Sequence, residues 1–186
     1  MKSNHRETMK MILAAFFLAA AYVLPFLTGQ IPAVGTMLCP MHLPVLLCGF
    51  LCGWPWGLAV GALAPLMRSL TLGAPVFYPM AVCMMLELAT YGVVAGVMHR
   101  LLPRKKPYIY ASLLTAMVTG RLVWGAAMFL CLGARGEIFG ISAFLAGGVT
   151  GAIPGIVLQI LLVPLLVVLA EKLLAKNGYG YLGEES

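Results

Sequence analysis

Residues 39–92 read CPMHLPVLLCGFLCGWPWGLAVGALAPLMRSLTLGAPVFYPMAVCMMLELATYG, a stretch apolar enough for a bilayer that nevertheless carries Arg68 and Glu87. A charged side chain at the bilayer centre costs about 2.5–3.5 kcal/mol even on the lenient insertion scale, so charges kept there usually serve a partner or a ligand. Arg121 occupies the next apolar run in the same way.

The whole chain repeats this character. Of 186 residues, 62% are hydrophobic and 10% charged, with a mean hydropathy of +0.99, against about 25% charged residues in a soluble domain. That composition predicts a single integral membrane domain over 1–186, with a bundle over about 9–174 and tails at 1–8 and 175–186. The net charge of +6 does not point to nucleic acid, because most of the basic residues sit in short segments between apolar runs, where they set topology.

Six apolar runs qualify as spans against the roughly 20 residues needed to cross the hydrocarbon: 9–28, 41–53, 56–72, 77–101, 108–132 and 142–174. The second is short and the last longer than one crossing. Trp54, Pro55 and Trp56 make a tight turn between the second and third, with indole rings suited to an interface. The first run, although preceded by Lys2, Arg6 and Lys10, is too long for a signal core and leads straight into further spans. Lys2, Arg6 and Lys10, then Arg100, Arg104, Lys105 and Lys106, then Lys172 and Lys176 all fall on one side of a six-span arrangement. The positive-inside rule makes that side cytoplasmic, with both termini inside.

Depth then relates the buried charges. Glu87 lies about ten residues below the outer end of the fourth span, Arg121 about thirteen above the inner end of the fifth, and Arg68 about twelve up the third. At about 1.5 Å per residue all three reach the middle or outer half of a ~30 Å core. Two guanidinium groups and one carboxylate leave one unpaired positive charge, which a solute carboxylate can fill bidentately. His42, Gln30, Tyr78, Tyr91 and Trp124 are candidate walls for such a pocket. The plainer alternative is that Glu87 and Arg121 neutralise one another while Arg68 reaches for headgroups.

Small residues recur every fourth position at Gly49, Gly53, Gly57 and Gly61, and again at Ala143, Gly147, Gly151 and Gly155. Both series predict close helix packing within the chain. The five cysteines show no ligand spacing; apolar packing is expected for them, with Cys39 nearest the outer surface. Nothing points to metal, cofactor or catalysis: there is no P-loop or HExxH, and Ser142 in GISA lacks a histidine on a later helix.

In combination, these features resemble a family. The basic start, Ala15 and Ala19 spaced as AxxxA in the first span, LPFLTGQIP (24–32) with MLCPMHLPVLLCGFLCG (37–53), and LAPLMRSLTLGAP (63–75) with ELATYG (87–92) are similar to a substrate-binding S component of the energy-coupling factor (ECF) transporters, most like the pantothenate type. The resemblance implies an all-α bundle of six transmembrane helices in a prokaryotic plasma membrane. It implies capture of a vitamin from outside by a chain that is not an enzyme. It also implies docking through Ala15 and Ala19 on a membrane coupling subunit driven by two cytoplasmic ATPases. The alternatives are an S component for another vitamin, a stand-alone secondary transporter, or a structural membrane subunit.

Overall fold

The computed structural model describes residues 2–28, 37–103 and 105–176. Among these the regular elements are all helices: α1 (Lys2–Val23) with a tighter turn over Leu24–Thr28, α2 (His42–Cys52), α3 (Trp54–Leu72), α4 (Val82–Leu101), α5 (Lys106–Gly133), α6 (Ile141–Gly148) and α7 (Ile153–Lys176). In lipid a backbone must satisfy its own polar groups, and helices do so within one segment. Four stretches are long and apolar enough to cross a membrane: His5–Phe26, Phe77–Leu101, Lys106–Gly133 and Ile141–Lys176. The remaining two of the six expected spans are α2 and α3. At 11 residues, α2 rises only about 16 Å of a ~30 Å core.

The last expected span is not one continuous helix. It breaks between α6 and α7 at Val149, where the backbone leaves helical angles, and restarts through a short turn over Thr150–Ala152. The Thr150 hydroxyl sits 3.3 Å from the Leu145 carbonyl and 3.2 Å from that of Ala146, covering acceptors that the break exposes. The fourth span is likewise irregular at its start, with Tyr78 in an extended conformation ahead of α4.

α2 is the buried centre. Ten of its residues are buried, and α1, α3, α4 and α7 surround it. The glycine series does what its spacing predicts. A Cβ at Gly49 or Gly57 would overlap the Gly92 backbone of α4, one at Gly61 would overlap Leu88, and one at Gly96 would overlap the Trp54 backbone. Gly53 turns the chain between α2 and α3 at φ +93°, a conformation costly for any residue with a Cβ. In the second series Gly147 faces Trp124, and Gly155 lies against the backbone of Met37 and Leu38.

Inter-helix contacts fix which ends lie together. His99 near the end of α4 meets Glu171 near the end of α7 at 2.9 Å, with the Phe50 ring edge-on to the imidazole at 5.1 Å. At the opposite end Tyr22 and Thr71 join the ends of α1 and α3 at 3.0 Å. The positions Arg6, Lys10, Arg100, Lys105, Lys106, Lys172 and Lys176 therefore gather at one end of the bundle. Arg104 falls outside the described residues. Lys10 is buried within α1 and bonded to Glu7 at 2.6 Å, rather than standing in a solvated segment. Arg135 and Glu137 pair at 3.0 Å between α5 and α6, at the other end.

Candidate functional site

The functional candidates converge in the half of the bundle remote from the basic end. Glu87, Cys83 and Tyr91 stand four residues apart on the buried face of α4, where α2, α3 and α5 pack. Across from them α5 brings Arg121, whose Nη1 lies 2.8 Å from Glu87 Oε1. Gly120 permits that approach, because a Cβ there would strike the Tyr91 ring. His42, the first residue of α2, reaches the same carboxylate oxygen with Nε2 at 3.4 Å, and its ring lies 5.2 Å from that of Tyr91. Glu87 is 1% exposed, a burial that a carboxylate tolerates only when paired and hydrogen-bonded.

The chain just before α2 completes this group. Cys39 adopts φ +46°, unusual for a residue other than glycine. Its thiol accepts a hydrogen bond from Arg121 Nη2 at 3.4 Å, and its carbonyl receives the His42 N–H at 3.1 Å. Cys39, expected nearest the outer surface, is buried beside the guanidinium, so its thiol is not open to solvent.

Among the described residues, His42 Nδ1, Arg121 Nε and Gln159 Oε1 are buried without a hydrogen-bond partner. Gln159 follows Gly155 by one helical turn on α7, so it comes level with the start of α2, against which α7 packs. The sequence reading missed it. Its signal was a single amide inside GIVLQILLVPLL, since a polar residue at depth in an apolar run needs a partner. Buried polar groups in folded proteins are nearly always satisfied, and each exception calls for an explanation, a bound water, ion or solute among them.

One turn further from the basic end, Trp124 follows Arg121 on α5. Its indole packs edge-on to Phe139 at 5.9 Å and tilted on Phe144 at 6.2 Å, in a cluster with Cys83 and Met128. Tyr78 donates a 2.9 Å hydrogen bond to the Cys131 carbonyl at the rim of this cluster. His42, Glu87, Tyr91 and Arg121 are therefore brought together, Trp124 lies one turn above them, and Tyr78 sits at the rim. Gln30 lies outside the described residues.

Arg68 is somewhere else. It is 5% exposed, donates a 2.6 Å hydrogen bond to the Tyr22 carbonyl, and lies over the rings of Tyr22 and Phe26 at 5.8 Å and 5.2 Å. This guanidinium ties the end of α1 to α3 instead of joining Glu87. The Glu87–Arg121 pair is consequently balanced, one negative charge against one positive, without the surplus that counting two arginines had suggested.

A buried ion pair inside an apolar helical bundle with four stretches able to cross a bilayer defines a multi-span membrane protein, and its sequence carries no nucleotide motif. Residues 9–167 match the family model for the ECF transporter substrate-specific component, and the chain belongs to that family. It is therefore a multi-pass membrane protein and a substrate-binding subunit of an ECF transporter rather than an enzyme; the family implies a small-molecule substrate, a membrane coupling subunit and ATPases. A search of curated proteins and a search of solved structures each returned no match.

Proposed function

We propose that this chain captures a small anionic micronutrient, with pantothenate the best candidate, from outside the cell. The solute sits against Glu87, Arg121, His42, Tyr91 and Gln159, with Trp124 and Tyr78 toward the entrance and Gln30, outside the described residues, as a further expected contact. The supporting observation is the set of buried, unpartnered atoms on His42, Arg121 and Gln159, three donors or acceptors on three helices that a solute with carboxylate, hydroxyl and amide groups can satisfy. Arg68 serves this reading indirectly, by holding α1 in place.

The basic end of the bundle faces the cytoplasm in this reading, as the positive-inside rule requires, with both termini inside and six crossings in total. The solute group then lies in the outer half. Release inward proceeds with a coupling subunit docked on α1, where Ala15 and Ala19 are exposed beside Met11, Ile12 and Phe16. Two ATPases on the cytoplasmic side supply the energy. A second reading, an S component for an uncharged vitamin, is favoured by the balanced Glu87–Arg121 pair.

Equilibrium binding of radiolabelled pantothenate to the purified chain, competed by a panel of vitamins, tests this. Saturable binding that is lost in Arg121→Lys but retained in Arg68→Ala supports the pantothenate site. Displacement by another vitamin alone keeps the capture role and changes the solute, and silence across the panel rejects both.

A further inference from the structure

The charge balance at the site has a consequence for the solute, on the reading that this group of residues is where it binds. Glu87 and Arg121 cancel, and Arg68 is held by the Tyr22 carbonyl and two aromatic rings. A carboxylate arriving here meets no net positive charge from the arginines. It meets two buried nitrogens that have no hydrogen-bond partner among the described residues, Arg121 Nε and His42 Nδ1, whose side chains both contact the same oxygen of Glu87. The first is always an N–H donor. The second depends on the proton count of the ring.

When the neutral imidazole donates through Nε2 to Glu87, Nδ1 presents a bare lone pair, which repels a carboxylate oxygen. With a second proton the ring donates in both directions, to Glu87 through Nε2–H and to the solute through Nδ1–H. We propose that His42 sets the anion preference of this site, taking up a proton from solvent as the solute carboxylate binds between its Nδ1 and Arg121 Nε. Solute and proton enter together and their charges cancel, so the buried group stays balanced in both states.

The surroundings of His42 contain few competing sources of a proton or charge. α4 faces it with Glu87 and Tyr91, α5 with Arg121, and the preceding turn with Cys39. α7 brings the uncharged Gln159 to this level and carries Glu171 at the far end against His99. On α1 and α3, Lys10 is bonded to Glu7, while Arg68 is bonded to Tyr22. The main rival for the proton is Glu87 itself, whose protonation would instead free Arg121 to hold the anion alone.

Calorimetric titration of the full chain in detergent with pantothenate, in buffers of differing ionisation heat, counts the protons. At pH values where the imidazole of the solute-free protein is neutral, about one proton should be taken up per carboxylate, and the dissociation constant should rise up to about tenfold per pH unit. The corresponding primary alcohol should bind with no pH dependence. In His42→Gln, whose amide can still reach Glu87, proton uptake should vanish. If that variant does not fold, the infrared difference spectrum of the wild type on solute binding decides: a protonated-carboxyl band places the proton on Glu87 or on the solute and overturns the inference, whereas uptake of one proton without that band upholds it. Zero uptake in the wild type overturns the inference, as does uptake that survives in His42→Gln, which assigns the proton to Glu87. If another anionic vitamin binds in place of pantothenate, the same count on that solute decides. Binding of uncharged vitamins only overturns the inference and leaves the capture role standing, whereas silence across the panel removes both.

Discussion

Glu87 shares one carboxylate oxygen between Arg121 at 2.8 Å and His42 at 3.4 Å, and this sharing makes the three side chains unequal in what they hold up. Removing Arg121 leaves a buried anion with the Tyr91 hydroxyl and a long contact to an imidazole, but without its guanidinium. Arg121→Ala should therefore lower stability by about 3–5 kcal/mol, the range for breaking one partner of a buried pair, whereas Glu87→Gln combined with Arg121→Met should recover much of it by removing both charges. Thermal unfolding of the three variants in detergent checks the order. Arg68 contributes a charge-assisted hydrogen bond and contacts with two rings, so Arg68→Ala should cost about 1–3 kcal/mol. Its effect on solute affinity should be small beside that of Arg121→Lys; an equal loss would mean that Arg68 does reach the solute.

At the scale of elements, backbone proximity sets the tolerance to change. α3 and α4 meet at Gly57 and Gly92, where a Cβ on either residue would overlap the other's backbone. Backbone atoms of two packed helices cannot step aside as the tip of a flexible side chain can. Gly92→Val should accordingly abolish the folded monodisperse protein, placing it among the few single changes that exceed about 4 kcal/mol. Gly133, at the end of α5, has open space around its would-be Cβ. Gly133→Ala should be neutral or stabilise slightly, by up to about 1 kcal/mol, through the unfolded chain. Size-exclusion profiles of the two variants after expression under identical conditions distinguish these outcomes. The break between α6 and α7 belongs here too, because it places Gly147 and Gly148 against the Trp124 indole and so lets α6 cover the aromatic cluster from one side.

For the whole molecule, α1 presents two different faces. One face buries Ala14, Phe17 and Ala21 in the core, while Ala15 and Ala19 stand exposed with Phe16. Ala19→Leu should leave solute binding unchanged and sharply reduce both co-purification with the coupling subunit and uptake, since small residues are what allow another helix to approach closely. Normal uptake in this variant would remove α1 from the coupling role. Orientation has its own test. After replacement of Cys131, the cysteine that is not buried, a cysteine at Lys105 should react with a membrane-impermeant maleimide only in inside-out vesicles, and one at Gly136 only in intact cells.

The sequence by itself determined the membrane solvent, the helical class, the location of most helices, the close packing at Gly49, Gly57 and Gly61, and the depth at which Glu87 and Arg121 could meet. These follow from composition, run length and periodicity, which lipid enforces locally along each segment. Tertiary structure alone decided which charges join. Arg68 reaches a depth similar to Arg121, but depth along a helix says nothing about rotation around it, and α3 turns Arg68 toward Tyr22 and Phe26 on α1. The break at Val149, the burial of Cys39 beside Arg121 and the arrival of Gln159 level with His42 also lay beyond the sequence. Each depends on how neighbouring helices pack sideways, a relation between residues far apart in the chain that apolar runs of similar composition do not encode.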